Sequence, residues 1–154
     1  MQADKLQTRP VQILTAIFRP ESGPAGIGIA VADAPANTIG GLREQAIGSR
    51  EYLLFRAILR ALQLGKELHA ERIAILCPDE DSVRLINREM PLKPGSGLVP
   101  CYMRIRALMH TYRAAEVRVA PRSRVEPARR LAIAASRMPV RKPDPQRSLF
   151  AAAG

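Results

Sequence analysis

Few of the residue types that do chemistry in proteins stand in working arrangements in this sequence. His69 and His110 are isolated from each other and from any nucleophile, so neither reads as a general base; His69 reads as a helix C-terminal residue and His110 as a helix-surface one. Cys77 and Cys101 form no CxxC or Cys/His cluster, which argues against a zinc site or a disulfide framework and leaves two reduced, buried thiols. The stretch GPAGIG at residues 23–28 is rich enough in glycine to suggest a phosphate-cradling loop. It joins two apparent strands, however, whereas such a loop must join a strand to a helix. The abundant chemistry is cationic: 24 Lys+Arg, mostly arginine, stand against 14 Asp+Glu for a formal net charge of +10. That balance favours a polyanionic partner bound through phosphate contacts and counterion release, and the planar guanidinium fork suits phosphate better than lysine does. With no Trp and few other aromatics, base stacking on single strands is disfavoured. Arg84, Arg88, Arg122, Arg124 and Arg130 are the candidate contacts to a nucleic-acid backbone.

These side chains need a scaffold, and the hydrophobic pattern supplies one. The 154 residues, 47% of them hydrophobic, suit one domain at 11–137 between an N-terminal tail at 1–10 and a C-terminal tail at 138–154. The first ten residues have no apolar h-region and no apolar run approaches the ~20 residues of a membrane span, so a soluble cytoplasmic protein, associated with the nucleoid and not with a membrane, is expected. Residues 11–18 (VQILTAIF) and 27–31 read as strands, with a third strand within 38–47. From 49 or 50 to 66 the apolar positions Leu53, Leu54, Ala57, Ile58, Ala61, Leu62 and Leu64 recur at helical spacing, and Gly65 is a plausible stop. A buried strand at 72–77, a short helix at 80–89, a Pro- and Gly-rich loop at 90–97, a helix at about 98–113 and a strand at 116–120 follow. Ser123 and Glu126 form a capping-box signature for a last helix with Pro127 in its first turn. The order is β-β-β-α-β-α-α-β-α, an α/β fold with a mixed five-stranded sheet and helices on both faces.

Five segments in this order resemble ribonuclease H type 1 domains. GPAGIGI (23–29) resembles the turn between the family's first two strands, and REYLLFRAILRALQLG (50–65) its A-E-Y-x-A-L helix. SVRLINRE (82–89) is similar to V-V-R-Q-I-N-G-E, and Leu98, Tyr102, Arg106 and Leu108 match the L-x-P-L-Y-x-x-v-R-x-L element. PRSRVEPARRLAIAAS (121–136) resembles the last helix, P-R-x-x-N-x-x-A-D-x-L-A, with Pro121, Arg122, Ala128, Arg130, Leu131 and Ala132 in register. The resemblance implies the ribonuclease H-like fold and, for active members, cleavage of RNA in RNA–DNA hybrids with two Mg²⁺ on four carboxylates, since such a metal pair needs dense anionic oxygen.

Carried over residue by residue, those four positions fall on Ala16, Glu51, Pro78 (or Asp79 with a one-residue slip) and Arg129. At most two carboxylates remain, and two unit charges ~4 Å apart interact by ~4 kcal/mol at an effective dielectric of 20, so a guanidinium opposes metal occupancy. Glu51 and Asp79 are the remnant catalytic candidates. Two readings stay open: Glu51 is an ordinary first-turn helix acid and Arg129 a solvated helix arginine, or Arg129 sits where a metal would, pairs with Glu51 and Asp79 and closes the pocket without Mg²⁺. The expectation is a ribonuclease H-like pseudoenzyme that binds RNA–DNA hybrid or duplex, with no cofactor and no metal. The alternatives are an active enzyme in which Asp79, Glu51 and Asp81 hold one Mg²⁺ or Mn²⁺, and an adaptor whose basic surface meets an acidic protein.

Beyond the last helix, periodicity is lost and Pro139, Pro143 and Pro145 suggest an extended tether. QRSLF at 146–150 resembles the bacterial sliding-clamp binding motif Q-L-[SD]-L-F through Gln146, Ser148, Leu149 and Phe150; Arg147 departs from its leucine. A Leu-Phe pair beyond the tether can fill an apolar pocket in a partner while the glutamine bonds at its rim, and the resemblance implies the DNA polymerase sliding clamp as that partner, in replication or repair; the alternative is a hydrophobic end that folds back on the domain.

Overall fold

The computed structural model describes residues 9–32 and 41–139; the first eight residues, part of the expected third-strand region and the QRSLF motif lie outside the described residues. Within them the chain runs β1 (Val11–Phe18), β2 (Ala25–Val31), β3 (Gly41–Ala46), α1 (Arg50–Glu67), β4 (Arg72–Cys77), α2 (Glu80–Ile86), α3 (Val99–Met109), β5 (Ala114–Val119) and α4 (Glu126–Ser136). The strands form one mixed sheet in the order β3-β2-β1-β4-β5. β1, β2 and β3 form an antiparallel meander, whereas β4 lies parallel to β1 and β5 parallel to β4. Parallel neighbours require a crossover, and α1 makes the one from β3 back to β4.

Alternation along the strands sorts the side chains to two faces. Ile13, Ile27, Ile29, Ile73 and Ile75 point into the larger core against Leu53, Leu54, Phe55, Ile58 and Leu62 of α1, with Ile105 of α3 closing it. Leu14, Ala16, Ala30 and Leu76 face the other way, against Val125 and Ala128 beside and within α4. The glycines of β2 explain how closely α4 approaches. A Cβ on Gly26 would lie 1.7 Å from the Ala132 carbonyl oxygen, and one on Gly28 would lie 1.8 Å from that of Ala128. Ala128, Ala132 and Ala135 are fully buried, so small residues on both surfaces let helix backbone rest on strand backbone.

Several element ends differ from those the sequence suggests. Gly65 does not stop α1: it lies inside the helix, beneath the Tyr112 ring whose hydroxyl donates to the Leu62 carbonyl. The helix ends instead in a Schellman-type turn, with His69 left-handed at φ 58 and the Ala70 amide donating to the Gly65 carbonyl at 2.9 Å. The same device ends α2 at Ile86 rather than residue 89, since Arg88 takes φ 61 and the Glu89 amide returns to the Arg84 carbonyl at 2.8 Å. α3 stops at Met109, and β5 opens at Ala114 because the Arg113 amide already bonds the Glu71 carbonyl at 2.9 Å. The Ser123–Glu126 capping box does not form. Residues 122–125 make a turn, Val125 is the cap residue without a side-chain bond, and Pro127 sits in the first turn, where its missing N–H costs nothing.

Candidate nucleic-acid interface

The C-terminal ends of β1 and β4 lie side by side where the sheet changes from antiparallel to parallel pairing. In open α/β sheets, ligands gather at that kind of switch point. Here the two strands are tied by the buried Thr15 hydroxyl, which donates to the Leu76 carbonyl at 2.9 Å. Just beyond lies a cleft of about 420 Å³ lined by Ala16, Ile17, Phe18, Leu54, Pro78 and Val125 and by Arg19, Arg50, Arg122 and Arg129. Its floor is apolar, and among the described residues that line it the only charged groups are guanidiniums and none is a carboxylate.

Each of those arginines is placed by a different element. Arg19 follows β1, and Arg50 is the first residue of α1, whose start is fixed by Ser49 accepting from the Tyr52 amide at 3.2 Å. Arg122 opens the turn into α4, and Arg129 stands one turn inside that helix. Arg50 donates to Asp79 at 2.7 Å, and Arg129 approaches Glu126 of its own helix at 3.8 Å. Among the described residues, Arg19 and Arg122 have no acidic partner.

The remnant carboxylates face elsewhere. Glu51, Asp79 and Asp81 line a second groove of about 350 Å³ with Ser82, Leu85, Pro91, Lys93 and Leu98, and Arg50 stands between the two depressions. Asp79 is the N-cap of α2: one carboxylate oxygen accepts from the Ser82 hydroxyl at 2.7 Å and the Ser82 amide at 2.9 Å, and the other accepts from Arg50. Burial opposes its ionisation, but the bonds from Ser82 and Arg50 outweigh that and hold the carboxyl below its usual range. Of the two readings of Arg129 that the sequence leaves open, the pairing with Glu51 and Asp79 is not formed. Arg50 takes Asp79 at 2.7 Å, while Arg129 lies against Glu126 of its own helix. Among the described residues no three Asp, Glu, His or Cys side chains gather as metal ligands.

Of the arginines singled out in the sequence, only Arg122 and Arg129 reach the cleft. Arg124 donates to Gln12 at 2.9 Å, and Arg130, 79% exposed, lies 3.8 Å from Glu126. Arg84 lies 3.8 Å from Glu89, and Arg88 donates to the Tyr102 hydroxyl at 3.2 Å. Arg19 and Arg50 were missed, because one follows a strand and the other starts a helix with nothing in the local pattern to mark them. Cys77 is buried, which pushes its thiol up to about 11, whereas Cys101 is only half-buried, contrary to the expectation of two buried thiols.

Comparison with known proteins gives this arrangement a lineage. The family model described as reverse transcriptase-like matches residues 15–135, most of the chain and every element around the cleft. The chain belongs to that ribonuclease H-like family. Its fold is shared with RNase H1 from the halophilic archaeon Halobacterium salinarum (TM-score 0.73, 15% identity, 82% of this chain and 97% of that one). It is shared also with the N-terminal RNase H domain of a Mycobacterium tuberculosis protein (0.68, 21%, 94% and 99%). A third match is LC11-RNase H1 solved in complex with an RNA/DNA hybrid (0.70, 19%, 82% and 96%). No curated protein matches the sequence. The groups that line this cleft do not fit a metal pair: Ala16, Pro78 and Arg129 offer it no carboxylate, and four guanidiniums line it.

Proposed function

We propose that this protein is a non-catalytic member of the family that binds RNA–DNA hybrid or duplex and is tethered to the DNA sliding clamp by its C-terminal QRSLF segment, working in the cytoplasm at the nucleoid. The observation that supports the reading is the cleft itself, where an apolar floor and four arginines, with no carboxylate among the described lining residues, lie at the C-terminal ends of β1 and β4. Such a site attracts a phosphate backbone, and it offers neither oxygen ligands for Mg²⁺ nor a base to activate water. A structural relative is captured on an RNA/DNA hybrid, and the net charge of +10 supplies the long-range attraction. The active alternative is weakened by Asp79, whose oxygens are already committed to Ser82 and Arg50.

The test is a labelled RNA–DNA hybrid incubated with the full chain in Mg²⁺ and in Mn²⁺, read for cleavage and, separately, for binding. The expected result is binding without cleavage above background. Mn²⁺-dependent cleavage that is lost in Glu51→Gln would refute the non-catalytic assignment. Binding to neither hybrid nor duplex would favour a protein-interaction role instead.

A further inference from the structure

We infer that the arginine cleft is a metal-independent seat for two consecutive backbone phosphates, with guanidiniums supplying the positive charge. The inference rests on the nucleic-acid-binding reading above and adds where the strand sits and what holds it. Four guanidiniums converge on the cleft, and two carboxylates answer them, Asp79 on Arg50 and Glu126 on Arg129. Among the described residues at least two positive charges are left over, since Arg19 and Arg122 have no acidic partner and Glu126 is shared with Arg130; that matches two phosphodiesters. The committed pairs still leave donors free, because a guanidinium has five N–H groups and Arg50 spends one on Asp79. The position also favours a phosphate over a solvated anion. Ile17, Phe18, Leu54 and Val125 line the floor, so charge-assisted bonds made there are less screened than on an open face. Arg50, the first residue of α1, and Val125, the cap residue of α4, both line the cleft, so the amino ends of two helices lie beside it.

Arg129 is the clearest part of the arrangement. It is half-exposed on α4 and held by buried Ala128 beside it, and the glycines of β2 let that helix sit low enough to bring it over the C-terminal end of β1. A helix held farther off would leave the guanidinium outside the cleft.

The experiment compares three forms of the full chain binding a labelled RNA–DNA hybrid and a labelled DNA duplex by fluorescence anisotropy. They are the wild type, the cleft variant Arg19→Gln/Arg122→Gln/Arg129→Gln, and a charge-matched variant Arg60→Gln/Arg113→Gln/Arg118→Gln, whose positions pair with Glu67, Glu71 and Glu116 away from the cleft. Circular dichroism and thermal melting confirm that each form is folded. The wild type should bind equally well when Mg²⁺ is replaced by EDTA at constant ionic strength. The cleft variant should bind at least tenfold more weakly than the charge-matched one, since charge-assisted bonds are roughly tenfold or more each. Its slope of log K against log[salt] should be shallower by about two units, near 0.9 per phosphate released. Equal losses in the two variants, or a requirement for Mg²⁺, would overturn the seat while leaving nucleic-acid binding in place. A wild type that binds neither probe would instead bring down the functional reading itself.

Discussion

Replacing Gly28 by alanine should damage this fold far more than one methyl group ordinarily does. An ideal Cβ at that position would stand 1.8 Å from the Ala128 carbonyl oxygen and 2.6 Å from the Ala132 amide nitrogen, and real Cβ atoms essentially never come closer than 3.0 Å. Both obstacles are helix backbone, so no side-chain rotation relieves the clash, and α4 must retreat by about an ångström. A gap of ~0.5–1 Å forfeits a quarter to a half of each dispersion contact across it, and here those contacts are made by the fully buried Ala128, Ala132 and Ala135. Overpacking ordinarily costs ~1–3 kcal/mol, and an unyielding backbone places this case at about 3 kcal/mol or above, a large share of a ~5–15 kcal/mol total. In urea, with a slope of ~1–3 kcal/mol per molar, the unfolding midpoint should fall by about 1–3 M. Gly95→Ala is the control: its φ is +81 but nothing lies within 4 Å, so only the left-handed penalty of ~1 kcal/mol applies. Because α4 carries Arg129 into the cleft, nucleic-acid affinity should fall in Gly28→Ala and not in Gly95→Ala. A Gly28→Ala midpoint indistinguishable from wild type would mean that α4 does not rest on β2, and the account of how the cleft is assembled would fail with it.

Asp79→Ala should cost about 1 kcal/mol, mainly the lost helix cap, because its partner Arg50 is half-exposed and a screened pair adds little. The folded pKa of Asp79 is depressed, so its contribution is present above the unfolded value near ~4 and disappears as pH falls through the folded one; urea midpoints of wild type and Asp79→Ala should therefore converge in acid. Cys77, whose thiol burial raises to about 11, should resist alkylation near neutral pH until the protein unfolds, and fast native labelling at that residue, located by mass spectrometry, would contradict the burial. For the proposed tether, Leu149→Ala/Phe150→Ala should weaken binding to a bacterial sliding clamp by orders of magnitude in a pull-down or anisotropy assay, each side chain contributing ~1.5–3 kcal/mol on burial. The melting temperature should not move; clamp affinity equal to wild type, or an unfolded domain, would count against a clamp ligand.

What the sequence by itself determined is the scaffold. Strand alternation in residues 11–18 and the helical stripe from Leu53 to Leu64 are local patterns whose period survives into the fold, and the order of the five family-like segments is the order of the elements around the sheet. The element ends were less legible, because they depend on left-handed residues such as His69 and Arg88 that no side-chain type demands, and on Tyr112 packing over Gly65 from far along the chain. The tertiary structure alone decided the membership of the cleft. Arg19, Arg50, Arg122 and Arg129 are scattered over more than a hundred residues and meet only because β1 and β4 end together while α1 and α4 begin beside them. It likewise decided that Asp79 serves Arg50 and its own helix cap rather than the cleft. A side chain's charge is legible in the sequence, but which of several oppositely charged groups it meets depends on where the elements begin and end in space: Asp79, capping α2, meets Arg50 at the start of α1.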